Sequence, residues 1–175
     1  NTNKNGKKLE NITRDIISKN TKNIGISFDY DSESKRKWKV ENIEYNGENY
    51  IRAPESSFKL FENIDNGGKQ NIPKAEGAKQ PDELIVNKKT NTINFLECKV
   101  QNGSGSKAEV LQSFNEKILN LKKRFPNWNI NYVYVLSSYF KKFKWELLRL
   151  DEEKILYVFE DDLNFENKIL EYSFK

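Results

Sequence analysis

The chain has 175 residues, 36% of them hydrophobic and 32% charged, enough apolar side chain for one modest core and too little length for two full domains. Its 30 basic and 26 acidic residues leave a net charge of +4, too small to identify a polyanionic partner by itself. A single cysteine, Cys98, and the absence of histidine exclude a disulfide framework, a multi-cysteine zinc site and imidazole chemistry, so any catalysis must run on carboxylates, lysines, hydroxyls or that thiol.

The aromatic content of 13% argues against disorder. No apolar run approaches the length of a bilayer span, and the polar start from Asn1 to Lys8 is no secretory signal, so a soluble cytoplasmic protein without membrane contact is expected. With no methionine even at position 1, the chain reads as trimmed, processed or incompletely represented.

In chain order, Leu9, Ile12 and Ile16 recur at steps of three and four and predict a short amphipathic helix over residues 7–19, with Glu10 beside the stripe. Residues 27–52 then read as strands, SFDY and KWKVENIEY followed by an Asn46-Gly47 turn into ENYIR, a hairpin signal. Residues 56–64 suit one or two helical turns, and 66–81 suit a loop rich in glycine, asparagine and proline. A second hairpin is predicted from strands 82–86 and 92–100, joined by the turn at residues 87–91.

Leu111, Phe114, Ile118, Leu121 and Phe125 predict a helix from about Ser106 to Phe125, with Pro126 helping to stop it. Residues 131–136 form a continuous apolar strand of the buried kind, 141–150 a further helix and 155–159 another strand. A helix between near-continuous apolar strands implies a crossover, hence an α/β fold with a central mixed sheet flanked by helices, all in one domain over 1–175.

The chemistry concentrates at Pro81-Asp82 and Glu97-Cys98-Lys99. Strand alternation puts Glu97 and Lys99 on one face with Cys98 opposite, and pairing through the short turn brings Asp82 toward Glu97. Two carboxylates can hold a hard divalent cation such as Mg2+, with the backbone carbonyl of Cys98 as a third ligand. Lys99 can then orient or deprotonate the attacking water, or offset charge in a phosphoryl transition state. The alternative is ordinary: an acid after proline and a Glu-x-Lys on a solvated strand.

At these residues the sequence resembles the PD-(D/E)XK nuclease superfamily, and within it the type II restriction endonucleases. Residues 77–83 (GAKQPDE) are similar to the lead-in to the first carboxylate, 97–109 (ECKVQNGSGSKAE) to the Glu-x-Lys strand running into a glycine-serine loop and helix, and 132–141 (YVYVLSSYFK) to a core strand with an aromatic-basic segment. The likeness spans about 77–159. It implies a restriction-endonuclease-like core and Mg2+-dependent cleavage of double-stranded DNA, with Asp82 and Glu97 as metal ligands and Lys99 as the catalytic lysine. It also implies that Glu10, on the first core helix, joins the metal shell, and that Gln101 touches the site or the scissile phosphate. For Glu10 the alternative is a solvated helical glutamate. The Cys98 thiol reads as packing.

From Gln101 to Leu150, nine basic and three acidic residues give +6, whereas Asp151 to Lys175 carries −5. Lys35, Arg36, Lys37 and Lys39 surround Trp38, and Lys141, Lys142 and Lys144 flank Phe143 and Trp145, patterns suited to phosphate neutralisation and stacking. Solvated basic faces around a buried tryptophan are the competing reading. Ser104, Ser106 and Lys107 precede the helix, where backbone amides, a Ser106 cap and the helix dipole could meet a DNA phosphate. No Walker-type lysine follows the glycines, so a nucleotide loop is not indicated. A palindromic target implies a homodimer. The competing functions are a structure-selective or repair nuclease, such as a junction resolvase, and a non-catalytic DNA-binding module on a nuclease fold.

Overall fold

The computed structural model describes residues 2–28, 40–53, 81–101 and 108–175. These form α1 (Thr2–Asn20), β1 (Lys22–Phe28), β2 (Val40–Tyr45), β3 (Glu48–Arg52), β4 (Glu83–Asn87), β5 (Thr92–Lys99), α2 (Ala108–Gln112), α3 (Phe114–Arg124), β6 (Asn129–Leu136), α4 (Lys144–Glu152), β7 (Leu156–Phe159) and α5 (Phe165–Ser173). The seven strands make one mixed sheet in sequential order. Each of the first four pairs antiparallel with the next, and β5, β6 and β7 run parallel. The expected α/β class with helices on a mixed sheet is what the chain adopts.

Period-two alternation divides the core between two faces. Leu84 and Val86 of β4, Ile93 and Phe95 of β5, and Tyr132, Tyr134 and Leu136 of β6 pack beneath Leu111, Phe114, Leu121 and Leu150 of the crossover helices. On the other face, Ile85, Leu96, Cys98, Val133 and Val135 pack against Leu9, Ile16 and Ile17 of α1 and Ile169 and Leu170 of α5. The crossovers through α2–α3 and α4 therefore cover one face, and the chain's first and last helices cover the other.

Several expected boundaries change. The helix predicted at 7–19 extends to Thr2–Asn20, and its buried stripe is Leu9, Thr13, Ile16 and Ile17, leaving Ile12 exposed. Thr13 fits that stripe because its hydroxyl donates to the Leu9 carbonyl at 2.9 Å. The strand expected at 27–30 begins earlier, at Lys22. The Asn46-Gly47 turn forms with both residues at positive φ (48° and 78°), as a type I′ hairpin requires. The single helix expected at 106–125 is interrupted at Ser113, whose hydroxyl donates to the Val110 carbonyl at 3.1 Å. In place of one helix over 141–150, a 3-10 turn at Ser138–Lys142 precedes α4. Helix α5 has no counterpart among the predicted elements. The helical turns expected at 56–64 and the loop at 66–80 lie outside the described residues, as do 29–39. Among the described residues no helix is long and apolar enough to cross a membrane.

Candidate active site

The site lies where β4 begins and β5 ends. Glu83 pairs with Leu96, so the register carries Asp82 opposite Glu97. Two bonds fix this end: the Asp82 N–H donates to the Leu96 carbonyl at 2.9 Å, and the Cys98 N–H donates to Asp82 Oδ2 at 2.6 Å. Within a strand the N–H and C=O of one residue point the same way, so the Cys98 carbonyl is also turned toward the Asp82 side. Burial pushes the Asp82 carboxyl up to about 7; its bond from Cys98 opposes the shift, and repulsion from Glu10 and Glu97 adds to it.

Glu97 is buried beneath α3. Its Oε1 lies 3.0 Å from Lys99 Nζ. Lys117, from α3, donates to both carboxylate oxygens, at 3.2 Å and 3.0 Å, and the Tyr132 hydroxyl donates to Oε2. Burial alone would raise the Glu97 pKa, but the ammonium groups of Lys117 and Lys99 outweigh it and hold the carboxyl below its ordinary range. Burial pulls Lys117 down, against the attraction of Glu97, and pushes Tyr132 well up. The glutamate is thus a buried anion, neutralised on the spot.

The structure brings Asp82, Glu97 and Lys99 together. Glu10 approaches from α1 on the other face and is half-buried, near enough for its charge to raise Asp82 and Cys98. The Cys98 thiol sits in the core against the Thr13 hydroxyl at 3.6 Å, pushed well up by burial and then by Asp82, as suits packing. Gln101 is buried at the strand's exit; its N–H donates to Ser137 Oγ at 3.1 Å, tying the chain to the end of β6.

The DNA-facing candidates fare unevenly. Lys35, Arg36, Lys37 and Lys39 lie outside the described residues, as do Ser104, Ser106 and Lys107. Lys141 is already paired with Asp161 at 2.9 Å and lies over the Phe159 ring. Lys142 lies 3.8 Å from the centroid of Tyr139, and Lys144 is exposed at the start of α4. Trp145 is not the buried tryptophan of the competing reading: it is 65% exposed.

Lys117 and Tyr132 were not among the sequence candidates, although one signal was available. Lys117 lies three residues after Phe114 and four before Leu121, on the apolar stripe of its helix, where an unpaired lysine would lose hydration without compensation.

The donors that this site could offer a cation are all oxygens: the Asp82 and Glu97 carboxylates and the Cys98 carbonyl. Among the described residues no three acidic, cysteine or histidine side chains converge into a ready-made metal cage. Two carboxylates at one buried strand end, the proton affinity of Asp82 raised first by burial and then by its acidic neighbours, nevertheless fit a hard cation that keeps several of its waters. No family model, curated protein or solved structure matches the chain.

Proposed function

We propose that the chain is a Mg2+-dependent endodeoxyribonuclease of the PD-(D/E)XK type, acting on double-stranded DNA in the manner of a type II restriction endonuclease. The observation that carries this reading is the register of one hairpin. It sets Asp82 opposite Glu97, with the Lys99 ammonium 3.0 Å from the glutamate, at one end of the strand pair β4–β5. The chain order supports it: the resemblance implies a core of helix, hairpin-bearing sheet, crossover helix and further strand, and helix α1, the antiparallel run β3–β5, the crossover through α2–α3 and the parallel strand β6 come in that order.

Asp82, Glu97 and the Cys98 carbonyl would hold the cation. When bound, magnesium would polarise the phosphodiester and lower the pKa of a coordinated water. The chain's own groups do the rest. Asp82 is braced by the Cys98 N–H, so its free oxygen has a fixed direction. Lys99, 22% exposed, reaches from the buried glutamate toward solvent, where its ammonium can orient the attacking water and offset charge on the phosphoryl oxygens. A homodimer would place one such site on each strand of a two-fold target. Action on DNA fits a cytoplasmic location.

The test is incubation of plasmid DNA with magnesium, with magnesium plus chelator and without metal, for wild type and Glu97→Gln. Discrete fragments that need metal and disappear in the variant are expected. Cleavage that survives the chelator or the substitution overturns the site. Preference for branched DNA over plasmid would identify a junction-type nuclease instead.

A further inference from the structure

We propose that Lys117 is the resting occupant of the cation position at Glu97, and that a divalent ion binds there by displacing its ammonium. This rests on the reading of Glu97 as a metal ligand.

Lys117 belongs to the buried stripe of α3 and its side chain is 11% exposed, although a lysine stem is long enough to carry an ammonium out to water from most helix positions. Here it turns inward. It bridges both oxygens of Glu97, at 3.2 Å and 3.0 Å. With Lys99 on Oε1 and Tyr132 on Oε2, every carboxylate oxygen of Glu97 is engaged. A cation cannot join Glu97 without displacing one of these donors. Lys117 is the one whose positive charge sits across both oxygens and would repel the newcomer most.

Lys117 also has somewhere to go. The Tyr134 hydroxyl is 3.5 Å from its Nζ and the Tyr134 ring centroid 5.4 Å, so the ammonium can slide onto the phenol and ring face while keeping a hydrogen bond and a cation–π contact. Tyr134 is held in place for this, since its hydroxyl donates to the Val110 carbonyl at 3.3 Å. A rotatable ammonium can make that move; a guanidinium fork clamped on both oxygens could not make it as readily.

The test measures metal binding directly, without DNA. Mg2+ and the cleavage-inert probe Ca2+ are titrated by calorimetry into wild type, Lys117→Met, Lys117→Gln, Lys117→Arg and Glu97→Gln, each checked for folding by circular dichroism. Lys117→Met and Lys117→Gln should bind Mg2+ about tenfold or more tightly than wild type, and Lys117→Arg more weakly. Lys117→Gln decides the matter if Lys117→Met does not fold. Unchanged or weaker binding in the neutral variants, with wild type still binding through Glu97, overturns displacement and leaves the metal reading intact. Absence of binding in every protein overturns both.

Discussion

Glu83 and Glu97 are buried on the same hairpin and face opposite sides of the sheet, yet they are neutralised by different chemistry. Glu83 is clamped by the Arg52 guanidinium, at 2.6 Å and 3.3 Å, while Arg52 also donates to Ser18 and to the Arg14 carbonyl. A planar fork that meets both oxygens and makes two further hydrogen bonds is harder to rearrange than a single ammonium. Glu97 is held instead by two ammonium groups and a phenol, donors on rotatable stems. The first pair ties β3, β4 and α1 together. The second can exchange partners, which is what a ligand-binding carboxylate needs.

Breaking each pair should give different losses. Glu97→Gln should reduce the DNA cleavage rate by on the order of a thousandfold or more, since several kcal/mol of transition-state stabilisation go with the metal carboxylate. Single-turnover cleavage with matched circular dichroism checks this, and a tenfold loss or less would remove Glu97 from the metal shell. Arg52→Met should instead unfold the protein more easily, by about 3 kcal/mol or more in urea titration, because it leaves a buried carboxylate with Arg14 as its nearest cation at 3.7 Å. The double variant Arg52→Met/Glu83→Leu should recover much of that loss. If the double is as unstable as the single, the clamp is not what the stability reports.

The contrast was only half legible in the sequence. Asp82, Glu97 and Lys99 could be brought to one strand end because a short turn and period-two alternation are local rules, but the exact register was not legible: the expected five-residue turn is four residues long, with Asn87 paired to Thr92, and that one-residue difference sets Asp82 opposite Glu97. Arg52 could not be placed, since its partner lies 31 positions away and only the pairing of β3 with β4 joins them. Ser113 fits the helical stripe as well as any small residue does, so the break it introduces is visible only in its bond to Val110. Helix α5 lies in an acidic tail whose charge masks its stripe, although Phe165, Ile169 and Tyr172 recur at steps of four and three. Its docking uses Asn94 and Asn131, polar residues in buried strands that donate to the Lys175 and Tyr172 carbonyls. Those contacts pair residues about 80 and 40 positions apart in sequence, beyond any local pattern.

Asp82 offers a smaller and sign-dependent effect. Its folded pKa, about 7, lies above the ordinary value of 3.8, so the fold favours the protonated carboxyl. No stability is lost below about pH 4, a penalty grows as the pH rises toward 7, and it is complete above that. Asp82→Asn keeps an oxygen for the Cys98 N–H and carries no charge. It should be more stable than wild type at pH 8 by about 1–2 kcal/mol, a figure reduced for partial exposure, with the advantage fading toward pH 4. Thermal unfolding without metal across that range measures it. Saturating magnesium should reverse the order at pH 8 by stabilising wild type alone. A pH-independent difference would mean that Asp82 is not strained by its burial.

The smallest effect extends the distinction between engaged and available cations to the surface. Lys141 is matched by Asp161, whereas Lys142 lies on an aromatic face and Lys144 is exposed beside the largely exposed Trp145. Counterion release counts ammonium groups that reach phosphates, about 0.9 in the log–log salt slope for each one on duplex DNA. Lys142→Ala/Lys144→Ala should therefore flatten the slope of DNA affinity against salt by about 1 to 2, and Lys141→Ala by much less, because its charge already has a partner. Fluorescence anisotropy at four or five salt concentrations, with Ca2+ in place of Mg2+, distinguishes the two. A wild-type slope in the double variant would place the DNA away from α4, and a full unit lost in Lys141→Ala would show that the Asp161 pair opens on binding.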